Sequence, residues 1–142
     1  MTKVPPIPTA DAEGSEHEPF NATTLSASLT VSDLPTSLAW YRDVLGFTVA
    51  REFDRAGTLF AVSLRAGAVP FLLTQDDGAR GTDRAKGVGF SLRLTTAQNI
   101  DELAKRIQSH GGALDAEPVD AWGARVFRLR DPDEFRLVIS SE

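Results

Sequence analysis

The stretch LSASLTVSDLPTSLAWYRDVLGFTVAREF, residues 25–53, decides the fold because it has the pattern of a strand, a helix and a second strand. Apolar and small polar residues alternate over 25–31, which is typical of a half-buried strand. A helix over 34–45 follows, since Asp33 is a good N-cap residue and Gly46 is a typical helix terminator. The stretch therefore predicts one compact supersecondary unit.

The same pattern occurs again in residues 88–119, which read VGFSLRLTTAQNIDELAKRIQSHGGALDAEPV. A strand is predicted over 88–94 and a helix over 100–110. The remaining predicted strands cover residues 47–53, 58–65, 69–74, 114–119, 125–130 and 135–140. A polar linker over 75–87 separates the two halves. A duplicated unit with few ionisable groups on its inward faces indicates a container more than an enzyme.

Composition limits the possible functions. The chain has 142 residues, 42% apolar and 25% charged, with a net charge of −5, which argues against a nucleic-acid-binding surface. It has no cysteine, which removes disulfides, thiolate zinc sites and cysteine nucleophiles and is compatible with a cytoplasmic location. No apolar run approaches the length of a membrane span. Residues 1–22 are rich in proline and acidic residues, so we expect a disordered tail before a domain over 23–142.

Three motifs carry a resemblance to a known family. They are Val31-Ser32-Asp33-Leu34 with the run of residues 40–47 (WYRDVLGF), Trp122-Gly123, and Asp131-Pro132-Asp133. Together they resemble the vicinal oxygen chelate superfamily, which includes glyoxalase I, extradiol dioxygenases and bleomycin resistance proteins. The resemblance covers residues 24–141. It implies an α+β fold of two βαβββ modules, about 24–75 and 87–141, with helices on the convex side of curled sheets, a concave cavity and a homodimer.

The family's metal ligands are missing at the positions that the resemblance assigns to them. Those positions fall on Ser26, Gly89 and Val138 in this chain. None of these side chains is a good ligand for a divalent cation, which prefers imidazole, carboxylate or thiolate. His17 lies in the tail, and we expect His110 to interact with the end of the second helix. The sequence thus predicts no metal, no cofactor and no catalytic residue.

The closing turn also departs from the family pattern. Glu134 stands where the family usually has glycine, which often adopts a positive φ. Either the turn has changed type or Glu134 is locally strained.

Small polar residues and arginines are predicted to line the cavity. The predicted ligand-binding residues are Ser26, Ser28, Thr30, Ser91, Arg93, Trp122, Arg136 and Val138. Arg93 and Arg136 either clamp a carboxylate or phosphate, or point to solvent and pair with acidic residues. Trp122 either stacks on a planar ligand near the cavity mouth or belongs to a dimer interface or core.

Two functions from different classes follow. The first is a metal-free protein that sequesters a neutral or anionic small molecule in a concave cleft of a dimer. The alternative is a glyoxalase- or dioxygenase-like enzyme with a relocated metal site or metal-independent acid–base chemistry, using groups such as Tyr41, Glu52, Asp54 and Arg93. A dimer that binds nothing remains a third possibility.

Overall fold

Two βαβββ modules make up the fold in a computed structural model, which describes residues 18–81 and 84–142. The first module consists of β1 (Ala27–Val31), α1 (Leu34–Ala39), β2 (Thr48–Arg55), β3 (Thr58–Ala66) and β4 (Val69–Gln75). A π-helical turn, Trp40–Val44, continues α1. The second module consists of β5 (Leu92–Thr96), α2 (Ile100–Ser109), β6 (Leu114–Ala121), β7 (Ala124–Arg130) and β8 (Arg136–Ser141). The predicted α+β fold is confirmed.

Each module forms its own four-stranded mixed sheet. The strand orders are β1-β4-β3-β2 and β5-β8-β7-β6, so the two sheets have the same topology. β1 is parallel to β4 and β5 is parallel to β8, whereas the other neighbours are antiparallel. Within the described chain, β1 and β5 are each paired on one side only, which leaves both sheets open.

The helices and one face of each sheet enclose a single core. α1 packs on β3 and β4, and α2 packs on β6, β7 and β8. Buried residues of both modules belong to one hydrophobic cluster, which includes Leu34, Phe71, Ile107, Phe127 and Leu137. Because the modules share the core on their helix-bearing sides, the opposite faces of the sheets point away from each other. We call these opposite faces the concave faces.

A buried hydrogen bond joins the modules at the centre of this core. The hydroxyl of Tyr41 donates to Oδ2 of Asp131 over 2.7 Å, and Asp131 is only 4% exposed. Oδ1 of Asp131 also accepts from the backbone N–H groups of Asp133 and Phe135. Burial raises the pKa of both the Tyr41 hydroxyl and the Asp131 carboxyl. The carboxyl therefore holds the β7–β8 turn and fastens it to the first module.

The ends of both helices agree with the sequence. Asp33 caps α1 by accepting from the N–H of Thr36, and Asn99 caps α2 by accepting from the N–H of Glu102. At the other end of α2, Nδ1 of His110 lies 2.8 Å from the carbonyl oxygen of Arg106. The expected interaction of His110 with the helix C-terminus is confirmed.

Two predicted strands begin later than expected. β5 starts at Leu92 instead of Val88, and Val88 is exposed. Gly87 and Gly89 both have positive φ, which interrupts an extended strand at these positions. β1 starts at Ala27, and the residues before it, Leu25 included, are exposed and lie outside the ladder with β4.

Residues 1–17 of the predicted tail lie outside the described residues, and residues 18–22 carry no helix or strand and are exposed. In the part of the chain that the structure describes, no helix is both long and apolar enough to cross a membrane.

Glu134 adopts a φ of +69° in the turn between β7 and β8, so of the two alternatives the structure shows the positive φ that glycine usually provides. The hairpin between β6 and β7 turns on Trp122 and Gly123, where Trp122 has a φ of +55°. Non-glycine residues rarely adopt this region because the Cβ atom clashes with the backbone.

Candidate functional site

The concave face of the second sheet carries a cavity of about 780 Å³. Its lining residues include Phe90, Ser91, Arg93, Arg128, Arg136 and Val138. β5, β8 and β7 supply most of these side chains because alternate residues of a strand point to opposite faces. On the same strands, Leu94, Phe127 and Leu137 point to the core.

The register of the strands places two arginines around one apolar residue. Val138 on β8 is paired with Arg93 on one side and with Arg128 on the other. Neighbouring strands lie about 4.8 Å apart, so the Cα atoms of the two arginines are about 10 Å apart. Arginine side chains are long enough to converge over Val138 from both sides.

A second pair of arginines lies in the adjacent row of the same face. Arg130 on β7 is the direct partner of Arg136 on β8. Asp115 accepts from Nε of Arg130 over 2.8 Å, and Glu134 lies 3.5 Å from its Nη1. The hydrogen bond that Arg130 donates to Asp115 raises the pKa of Arg130. Arg136 has no carboxylate within 4.0 Å among residues 18–81 and 84–142.

Arg93 is held in place by a neutral partner. Its Nη2 donates to Oγ of Ser140 over 3.0 Å, and Ser140 is fully buried. Among the described residues, no carboxylate lies within 4.0 Å of Arg93 or Arg128. The guanidinium of Arg93 is thus positioned without being neutralised.

The concave face of the first sheet is chemically different. Leu72 on β4 is paired with Ser28 on β1 and Ser63 on β3. The next row consists of Thr30, Thr74 and Ala61. Neither row contains a charged side chain on β1, β4 or β3, and the charge nearest to the first row is Arg51 on β2, the partner of Ser63.

The predicted site residues fall into three places. Ser91, Arg93, Arg136 and Val138 lie together in the cavity of the second module. Ser28 and Thr30 lie on the concave face of the first sheet, and Ser26 precedes β1. Trp122 is 92% exposed at the tip of the β6–β7 hairpin and does not line this cavity. A single chain therefore brings together only the predicted residues that surround Arg93 and Arg136.

Arg128 and Arg130 are not among the ligand-binding residues predicted from the sequence, although both line the cavity. The signal was present in Val126-Phe127-Arg128-Leu129-Arg130, where aromatic and apolar residues alternate with arginine. Phe127 and Leu129 are in the core, so the two arginines must face the other way. The expectation of few ionisable groups on the inward faces is wrong for the second module.

The residues do not fit a metal site of the family type. Ser26 is exposed, Gly89 has a φ of +88° in a loop, and the side chain of Val138 offers no donor atom. Among the described residues, no group of three or more His, Asp or Glu side chains is placed to hold a metal ion. Divalent cations usually require three or more protein ligands.

Comparisons with known proteins agree with this architecture. The family model described as the Glyoxalase/Bleomycin resistance protein/Dioxygenase superfamily matches residues 23–139. A comparison with curated protein sequences found no significant match.

Solved structures of low sequence identity share the fold. A glyoxalase/bleomycin resistance protein/dioxygenase from Nocardioides has a TM-score of 0.65 at 17% identity and covers 87% of this chain and 85% of its own. A superfamily member from Sphaerobacter thermophilus has a TM-score of 0.66 at 21% identity, covering 85% and 98%. An integron cassette protein from V. cholerae has a TM-score of 0.66 at 24% identity, covering 86% and 97%.

The two open βαβββ sheets around a shared core define an α+β class of fold. The chain belongs to the glyoxalase/bleomycin resistance protein/dioxygenase superfamily, because the family model covers nearly all of the residues from 23 onward.

Proposed function

We propose that this protein is a metal-free small-molecule-binding protein that sequesters a neutral or anionic ligand in a concave cleft of a homodimer, as bleomycin resistance proteins of its superfamily do. The observation that carries the proposal is the cavity of about 780 Å³ on the second concave face. Its size suits a small organic ligand. The ligand set that a metal-dependent member would need is replaced by Ser26, Gly89 and Val138.

Two features support the homodimer. Both concave faces point outward from the shared core, so a single chain leaves them without a covering layer. β1 and β5 are also paired on one side only within the described chain, and such edges favour pairing with another strand. A second copy that covers a concave face would enclose a ligand bound there, with Ser28, Thr30 and Trp122 as further contributors. A cytoplasmic location and a role resembling antibiotic resistance are part of the same proposal.

The enzymatic alternative is weaker. Of its candidate groups, Tyr41 is fully buried and already donates to Asp131, which leaves it no route to a ligand on either concave face. Glu52 and Asp54 lie on β2 of the first sheet, while Arg93 lies on β5 of the second. No observation groups these residues into one constellation.

The proposal is tested on the purified full chain by metal analysis, melting curves with added metals and chelator, and a fragment screen that contains neutral and anionic compounds. We expect no stoichiometric metal, melting curves that do not respond to chelator, a dimer by light scattering, and fragments that raise the melting temperature. A stoichiometric metal whose removal lowers the melting temperature, or turnover of a bound compound, would favour the enzyme instead.

A further inference from the structure

The second concave face carries four arginines, Arg93, Arg128, Arg130 and Arg136, whose mutual repulsion does not stabilise the fold. Arg130 and Arg136 are direct cross-strand partners, and like charges in that position destabilise an antiparallel pair. Asp115 neutralises Arg130, but among the described residues Arg93, Arg128 and Arg136 have no carboxylate partner. The chain as a whole carries a net charge of −5, so the positive charge of this face is opposite in sign to the net charge of the protein.

The three arginines without an acidic partner among the described residues are all neighbours of Val138 on the concave face. Arg93 and Arg128 flank Val138 across three strands, and Arg136 lies two residues before Val138 on the same face. Residues two apart on a strand are about 7 Å apart. Three arginines whose backbone positions lie within about this distance of Val138 offer an oxyanion several planar donors, since each guanidinium presents a fork of N–H groups. Within the described part of the chain, only the guanidinium of Arg93 among these three has a hydrogen-bond partner, the neutral hydroxyl of Ser140.

An aromatic ring borders the same cavity. Phe90 lines it, is 45% exposed, and packs against Phe135 with a ring-centroid distance of 6.0 Å. Phe135 is buried and supports the Phe90 ring, part of which remains exposed beside the cavity. An exposed aromatic face beside a cationic cluster favours a ligand that is both planar and negatively charged.

We infer that the cavity of the second module binds a small aromatic oxyanion, with its carboxylate or phosphate group held by Arg93, Arg128 and Arg136 and its ring packed on Phe90. This inference rests on the proposed binding function and narrows its ligand from neutral or anionic to anionic. Carboxylates and phosphate monoesters share the oxygen geometry that guanidinium groups recognise.

The inference is tested by calorimetric titration of the full-length protein at constant ionic strength with benzoate, phenyl phosphate, inorganic phosphate and phenol. Benzoate carries a carboxylate and phenyl phosphate a phosphate, so comparing them distinguishes the two kinds of oxyanion. Inorganic phosphate lacks the aromatic ring, and phenol lacks the negative charge. We expect one or both aromatic anions to bind at least about tenfold more tightly than phenol, because charge-assisted hydrogen bonds are the stronger ones.

Variants then assign the binding to the arginines. Arg128→Gln and Arg136→Gln should each weaken binding of the aromatic anion by about tenfold to a hundredfold. Arg42→Gln is the matched control, because it removes the same charge from an exposed arginine that pairs with Asp43 on the π-helical turn. Arg136→Gln should not lower the melting temperature of the ligand-free protein, since it removes a like-charge pair with Arg130.

The outcomes separate this inference from the proposed function. Phenol binding as tightly as benzoate and phenyl phosphate, or anion binding that is unchanged in both glutamine variants, would overturn the inference and leave a small-molecule-binding protein. Failure of every neutral and anionic fragment to bind would overturn the proposed function together with the inference.

Discussion

The same strand positions carry different chemistry on the two concave faces. On the first sheet, the apolar residue in the middle of the row is flanked by Ser28 and Ser63, whereas on the second sheet it is flanked by Arg93 and Arg128. The two sheets nevertheless have the same strand order and contribute to one core. The core-facing residues therefore set the architecture, while the outward-facing residues of the two sheets differ in chemistry.

The largest expected effect comes from breaking the junction that both modules share. Asp131→Ala should lower the free energy of unfolding by about 3 kcal/mol, because it leaves the buried Tyr41 hydroxyl and the N–H of Phe135 without an acceptor. Asp133→Ala is the control and should cost under about 1 kcal/mol, since Asp133 accepts from the N–H of Ser32 at an exposed position. Guanidinium denaturation measures both, and equal losses would refute the special role of Asp131.

The β-hairpin turns that precede β4 and β8 both contain a residue with positive φ, but this residue is glycine in the first turn and glutamate in the second. Gly67 has a φ of +61° in the first module, and Glu134 has a φ of +69° in the second. Glu134→Gly should raise the free energy of unfolding by about 1 kcal/mol, because glycine has no Cβ to strain this conformation. The reciprocal change Gly67→Ala should lower it by about 1 kcal/mol. Thermal and guanidinium unfolding measure both variants, and a destabilised Glu134→Gly would show that the ion pair with Arg130 outweighs the strain.

Giving the first concave face the charge pattern of the second sharpens the comparison. Ser63 is the direct partner of Arg51 on β2, so Ser63→Arg creates the same like-charge opposition that Arg130 and Arg136 show. We expect the free energy of unfolding to fall by about 0.5 kcal/mol at low salt, and the loss to shrink as salt is added. Ser63→Gln, similar in length but neutral, should lack the salt dependence. If the free energy of unfolding falls by the same amount at every salt concentration, the cause is packing and not charge repulsion.

The smallest expected effect concerns the segment between the modules and depends on pH. Asp76 accepts from Nζ of Lys86 over 2.6 Å and from the N–H of Gly78 over 2.8 Å, and these bonds lower its pKa to about 2. A carboxyl whose pKa is lowered by folding adds stability above its ordinary pKa of 3.8 and loses that contribution as the pH falls towards 2.

Asp76→Asn should therefore lower the melting temperature at pH 6, and its difference from the unchanged protein should diminish between pH 4 and pH 2. Asp77→Asn is the control because it leaves the bond to Lys86 intact. A difference that stays constant over this pH range would exclude the carboxylate as its source.

The sequence predicted the fold because alternation and helix caps are local signals. Asp33 caps α1 as expected, and the two repeats became two sheets of the same topology. The late start of β5 could not be predicted from the sequence, since glycine is compatible both with an extended strand and with the positive φ that Gly87 and Gly89 adopt. Of the four arginines that line the cavity, the sequence predicted two, Arg93 and Arg136, as candidate ligand-binding residues. The alternation over residues 126–130 already places Arg128 opposite the core, but its position beside Val138 depends on the register between β7 and β8, which only the assembled sheet defines.

Alternate residues of these strands belong either to the shared core or to an outward face, and this separation bears on how the sequence diverges. A substitution on an outward face changes the chemistry of that face without repacking the interior, so the two kinds of position are under separate physical constraints. The solved structures with identities of 17–24% and TM-scores of 0.65–0.66 share this fold. In this chain, exchanging every second residue of a concave strand changes one face of the sheet and leaves the core-facing residues in place.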